Sequence, residues 1–142
     1  MAPNDGTYAE DIVKTELNKH VSSDFMWRRL YDTKSAQLHT IQAQPADFEC
    51  VYKGRPFFIE VKTVGHKLGR LPQGSFSQRA LMQSWSKAGF RGFVLVHAYN
   101  FDGELYLVDV DDIQPDLKSW VIPELGIIVN VDTFLQEIIK RL

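Results

Sequence analysis

The chain of 142 residues has one cysteine, Cys50. That excludes an internal disulfide and any zinc cluster built on several cysteines. It also favours a reducing, cytoplasmic compartment over an oxidising one. No apolar run is long enough to span a membrane. Residues 1–11 are polar and acidic, without the basic-then-apolar order of a signal peptide. His20, His39, His66 and His97 show no metal-ligand spacing. There is no internal repeat, low-complexity tract or linker. With 44% hydrophobic residues, residues 1–142 are expected to form one domain with a real core. A net charge of −2 argues mildly against a nucleic-acid partner. A second absence reverses that impression. Between Val61 and Phe101 there is no aspartate or glutamate, while Lys62, Lys67, Arg70, Arg79, Lys87 and Arg91 all fall there. Such segregation either builds a basic surface for a polyanion or is a chance run on a solvated face.

The densest chemistry lies in Pro45-Ala46-Asp47 and in Glu60-Val61-Lys62. Residues 48–52 and 57–61 are rich in β-formers, and Lys53-Gly54 between them reads as a tight hairpin turn. If these two are the central turn residues, Tyr52 pairs with Arg55. Counting outward then sets Asp47 opposite Glu60. Because strand residues alternate faces, Glu60 and Lys62 share one side and Val61 takes the other. Two carboxylates and a lysine gathered by one hairpin suit metal-assisted phosphodiester cleavage.

Around the hairpin, Thr7-Tyr8-Ala9-Glu10 fits a capping box opening a helix with Ala9, Ile12, Val13 and Leu17 on its apolar stripe. Residues 25–31 suggest a strand, and 32–44 are polar and ambiguous. Residues 64–74 read as a loop. Ser75 to Gln78 forms a second capping-box pattern, with a helix to about Ala88 stopped by Gly89. In that helix Phe76, Ala80, Leu81 and Trp85 form a stripe expected to face the core. Trp27 and Trp120 are likewise expected in the core or an interface. Residues 93–98 are an apolar run, expected as a buried strand. Asn100 to Gly103 reads as a turn, residues 105–110 and 127–131 as strands, and 133–141 as a terminal amphipathic helix. The fold class is α/β, a single domain with a mixed central β-sheet flanked by helices.

This order, helix, acid-bearing hairpin, helix, strand, resembles the PD-(D/E)xK nuclease superfamily. Asp47 with Glu60-Val61-Lys62 matches its signature, with Pro45-Ala46-Asp47 where a strict Pro-Asp would stand. Residues 46–55 and the segment from Leu71-Pro72 to Phe76-Ser77-Gln78 look like the RecU-type Holliday junction resolvases. Gly6 to Glu10 resembles the first helix of archaeal Hjc-type resolvases. The likeness spans residues 6–109. RecU proteins carry a long projection between the first helix and the hairpin, and here its counterpart is at most residues 24–44.

The resemblance implies a restriction-endonuclease-like core and a metal-dependent DNA endonuclease. Its substrate would be four-way junctions, its assembly a homodimer and its setting a bacterial, archaeal or phage-infected cell. Asp47 and Glu60, the backbone carbonyl of Val61 and the first-helix acid Glu10 are the implied metal ligands. The metal is Mg2+, with Mn2+ able to substitute. Lys62 would hold the attacking water, although alone it reads as an ion-pair partner of Glu60's surroundings. Gln78 would orient the water or Lys62, and equally fits as a capping residue. Glu10 doubles as the capping-box acid, and Glu16, set within the apolar stripe, competes for its role. Lys67, Arg70 and Arg79 are candidates for phosphate contacts. Two alternatives stand beside the resolvase: another structure-specific, restriction-type or VRR-NUC-like nuclease, and a non-catalytic DNA-binding module on the same fold.

Overall fold

A computed structural model describes residues 6–31 and 43–142. The ambiguous segment 32–44 therefore lies outside the described residues except for Ala43 and Gln44. In chain order the elements are α1 (Gly6–Lys19), β1 (Phe25–Arg29), β2 (Phe48–Tyr52), β3 (Arg55–Thr63), β4 (Arg70–Pro72), α2 (Arg79–Lys87), β5 (Arg91–His97), β6 (Leu105–Asp109), β7 (Ser119–Val121), α3 (Ile122–Leu125), β8 (Ile127–Val129) and α4 (Phe134–Lys140). A six-stranded sheet runs β1-β2-β3-β5-β6-β8, and β4 pairs with β7 in a small second sheet. Among the described residues only β3 and β5 pair in parallel, because α2 carries the chain between them across one face.

The hairpin forms as the spacing predicts. Lys53 and Gly54 hold φ of +48° and +79°, the pair of left-handed residues a two-residue hairpin turn requires. Tyr52 pairs with Arg55 and Phe48 with Ile59, so the next position outward sets Asp47 across from Glu60. Alternation then sorts the side chains into two cores. Phe57, Ile59, Phe93 and Leu95 pack against Val13, Leu17, Phe134 and Ile138 on the α1/α4 face. Phe58, Val94 and Val96 pack with Met82, Leu71 and Trp120 on the other. β5 is covered on both faces, which explains its uninterrupted apolar run.

Several expectations are corrected. Residues 64–74 are not all loop: Leu71 pairs with Trp120 across β4 and β7, and both are 1% exposed. Pairing lets these two side chains enter the core while the polar backbone beside them stays hydrogen-bonded. Ser75 to Gln78 makes no capping box. Ser75 closes a 3-10 turn, Phe76 is buried, and α2 starts only at Arg79, with Gln78 giving no side-chain cap bond. Anchoring Phe76 leaves Ser75 too far from the helix start to cap it. The later start also changes the inward face: Met82 and Ser86 are buried, whereas Ala80 and Trp85 are exposed. Met82 fits there because Gly92 opposite has no side chain; a Cβ would lie 2.9 Å from Met82 Cε. Thr7 lies inside α1 rather than at its cap, and Ile12 is only half-buried. The helix end at Gly89, the strand near residue 25, the Gly103 turn and the C-terminal strand and helix follow the expectation.

Candidate active site

The site opens where β2 ends and β3 continues past it. Asp47 there lies just outside the β2–β3 pairing; its carbonyl accepts from the Leu30 N–H at 2.7 Å, and its Oδ2 accepts from the Val61 N–H at 2.8 Å. That bond anchors the carboxylate beside Glu60. Glu60 is 2% exposed because β3 is interior to the sheet and α2 covers its face. Its Oε2 lies 3.1 Å from Lys62 Nζ, two residues on and on the same face. Its Oε1 is buried without a hydrogen-bond partner. Burial, and then the charge of Asp47, push the Glu60 carboxyl up to about 8, against the pull of Lys62. The Lys62 ammonium also stands 5.4 Å over the Phe76 ring, so the residue that misaligns the capping box supports the lysine.

Glu10 comes from α1 and is brought beside Asp47 by a residue that the sequence reading did not single out. Arg29, the last residue of β1, places Nη2 at 2.7 Å from Glu10 Oε1 and 3.5 Å from Asp47 Oδ1. Nη1 donates to the Asp47 carbonyl at 3.1 Å and to the Leu30 carbonyl. Tyr31 and Phe48 flank the guanidinium at 5.0 and 5.6 Å. Burial and the Asp47 charge raise Glu10, while Arg29 lowers it. Alternation offered a signal: Arg29 follows Phe25 and Trp27 on one face of a strand expected beside the hairpin. Glu16 is buried elsewhere. Burial alone would raise it, but hydrogen bonds from His20 and Lys19 bring it below its ordinary value. Glu10, not Glu16, is the first-helix acid that reaches Asp47's surroundings.

Gln78 lines a cavity of about 250 Å3 together with Arg29, Gln44, Ala46 and Asp47. Lys67 and Arg70 are exposed on the other side of α2's approach, with Arg70 Nη1 donating to Ser119 Oγ at 3.3 Å. Arg79 donates to Gln83 Oε1 at 2.8 Å. These three cations have no contact with the acid group.

Asp47 and Glu60 supply hard oxygen donors, and the orphaned Glu60 Oε1 is an acceptor that a cation would satisfy. A divalent metal fits these two residues. Among the described residues no cluster of three acids, histidines or cysteines gathers to hold one, and Glu10 is ion-paired with Arg29.

A mixed sheet with α1 on one face, α2 on the other and acids at the divergence of β2 and β3 is the restriction-endonuclease-like α/β fold. Among solved structures, the chain is similar to Archaeoglobus fulgidus Hjc, described as a Holliday junction resolvase from an archaeal hyperthermophile. The TM-score is 0.52 at 20% identity, over 87% of this chain and 91% of that one. No protein-family model matches the chain, and no curated protein does. What this likeness shows is the fold. Among the described residues no helix is long and apolar enough to cross a membrane.

Proposed function

We propose that this protein is a metal-dependent DNA endonuclease that resolves four-way junctions by paired phosphodiester hydrolysis. The observation that carries the reading is Glu60, a carboxyl buried at 2% exposure, beside Asp47, with one oxygen unpartnered and Lys62 at 3.1 Å from the other. A core acid with an open acceptor costs stability, and binding a cation is the chemistry that offsets it. Asp47, Glu60 and the Val61 carbonyl would hold Mg2+, with Mn2+ as a substitute. When bound, such an ion polarises the phosphate and lowers the pKa of a water.

The rest falls to the chain's own side chains. Lys62 Nζ, steadied by Glu60 and the Phe76 ring, holds the attacking water against the phosphorus. Gln78, across the cavity from Asp47, orients that water. Glu10 and Arg29 fix the Asp47 side chain from behind. Lys67, Arg70 and Arg79, in the acid-free stretch, contact flanking phosphates. A junction presents two strands related by approximate two-fold symmetry, and each chain carries one acid set. A symmetric homodimer therefore supplies the paired cuts. This reading places the protein in the cytoplasm, where DNA is met.

The test is cleavage of matched four-way junction, flap, linear duplex and single strand, with and without Mg2+, by wild type and Asp47→Asn. Junction-selective, Mg2+-dependent nicking lost in the variant is the expected result. Equal cleavage by Asp47→Asn would refute the site, and equal cleavage of linear duplex would refute the substrate.

A further inference from the structure

The exposed side of α2 carries a feature that phosphodiester cleavage does not use. Trp85 is 43% exposed although it belongs to an aromatic group. Phe58 and Phe90 stack at 4.0 Å, and each stands nearly perpendicular to the indole, at 5.6 and 5.7 Å. Because the two phenyls are stacked on each other, they approach the indole from one side. The ring is thus held by two aromatic contacts while 43% of the residue stays exposed. It borders a groove of about 460 Å3 lined also by Leu81, Pro45, Gln44 and Ala43. Gln44 belongs at the same time to the cavity that holds Asp47 and Gln78. The groove and the cavity beside Asp47 therefore share Gln44 as a common wall.

We infer that Trp85, with Leu81 and Pro45, is a stacking subsite for one unpaired nucleobase adjoining the phosphate held at Asp47. The inference rests on the DNA-cleaving reading above. Three observations select a nucleobase over other occupants. The groove adjoins the cavity of the candidate site rather than a remote surface. None of the residues lining it is acidic, which suits a strand carrying phosphates. Its walls combine a flat, rigid indole and apolar side chains with the Gln44 amide, which can meet the polar edge of any base. Stacking on an aromatic is tolerant of sequence because every base has a π-face. At the branch of a four-way junction stacking between arms is interrupted, so a base there can leave its pair at lower cost than one within an arm.

The test uses the metal-free protein, so that binding is read without cleavage. Two probes are compared by anisotropy: a synthetic four-way junction, and the same junction with abasic residues beside the branch. The expected loss for Trp85→Ala on the intact junction is about 10-fold, from ordinary base–aromatic stacking. The abasic junction should weaken wild type similarly and weaken Trp85→Ala no further, while Trp85→Phe keeps most of the affinity. A second measurement needs no change at Trp85. In a Trp27→Phe background the other remaining indole, Trp120, is buried, and the solvent-exposed part of the emission, from Trp85, should be quenched by the intact junction and not by the abasic one. Wild-type affinity in Trp85→Ala, losses that add, or bound junction without quenching would each overturn the subsite while leaving the endonuclease reading in place. An emission change that tracks protein concentration without DNA would assign the face to a second copy instead. Failure of wild type to bind either junction would remove both readings.

Discussion

Replacing Glu60 with glutamine should make the metal-free protein more stable at alkaline pH. The carboxyl is buried, and burial with the neighbouring Asp47 charge pushes it up to about 8, from an ordinary value near 4.5. Below the ordinary value the group is protonated in both folded and unfolded chains, so it contributes no pH dependence. Between about 4.5 and 8 the unfolded chain releases the proton while the folded chain keeps it. Stability then falls with rising pH at about 1.4 kcal/mol per unit, and levels off above the folded value. Across that interval the loss is on the order of 5 kcal/mol, belonging to the Asp47–Glu60 pair together rather than to one residue. Glutamine keeps the shape and an acceptor for Lys62, offers an N–H toward Asp47, and has no proton to lose.

Urea unfolding followed by circular dichroism, with chelator present from pH 5 to 9, gives both stabilities. The difference between the proteins reports the coupled Asp47–Glu60 pair, because the titrating groups outside it are common to both. The variant should gain on wild type progressively through the interval and hold its advantage at pH 9. Adding Mg2+ at pH 8 should narrow the gap by raising wild type alone, by about 2.7 kcal/mol at a hundred times the dissociation constant. Parallel pH profiles for the two proteins would refute the argument. They would mean that Glu60 is charged in the folded state at no cost, and that its buried oxygen has a partner.

Lys62→Ala should reduce cleavage by about 100-fold or more while leaving junction affinity nearly unchanged, since it removes a group acting on the water rather than on the DNA backbone. Single-turnover cleavage beside anisotropy separates the two. Arg29→Ala leaves Glu10 and Asp47 facing each other without the guanidinium between them, with only Lys14 still acting on Glu10, and should cost about 2 kcal/mol in the metal-free protein. Added Mg2+ should recover part of it in a urea melt. Arg70→Ala and Lys67→Ala should each weaken DNA binding and lower the salt slope by about 1, with cleavage of bound DNA retained. A salt titration by anisotropy checks both.

Where the pattern in the chain was local, the structure follows it. Lys53-Gly54 permits one turn geometry, the turn fixes the pairing of Tyr52 with Arg55, and that pairing alone brings Asp47 to Glu60. The run ending at His97 is apolar at every other position and between, as a strand buried on both faces must be. β4 was hidden for the opposite reason. Its three residues pair with a strand about 50 positions later. Glycines and basic residues surround it, so its local signal was that of a loop. Leu71 becomes a strand residue only because Trp120 arrives beside it. The inward face of α2 was misjudged through its start: a capping-box pattern was present, but burial of Phe76 was worth more than a capped first turn.

Arg29 marks a harder limit, and it bears on how the acids work together. Two carboxylates that share a cation must sit close, and closeness without the cation is repulsive. The fold answers with a guanidinium on the last residue of β1, at 2.7 Å from Glu10 and 3.5 Å from Asp47. Glu60 is left outside that arrangement, with Lys62 on one oxygen and nothing on the other. The three acids are therefore not equivalent. Glu10 is ion-paired with Arg29, Asp47 is shared between Arg29 and the Val61 amide, and Glu60, the most buried of the three, has a core oxygen with no hydrogen-bond partner. A signature of acid, acid and lysine cannot express that ranking, because it depends on a cation some 18 positions before Asp47 and on the pairing of β1 with β2. On the proposed reading a cation would be held by Glu60 and Asp47, and Glu10, paired with Arg29, would bear on the position of Asp47.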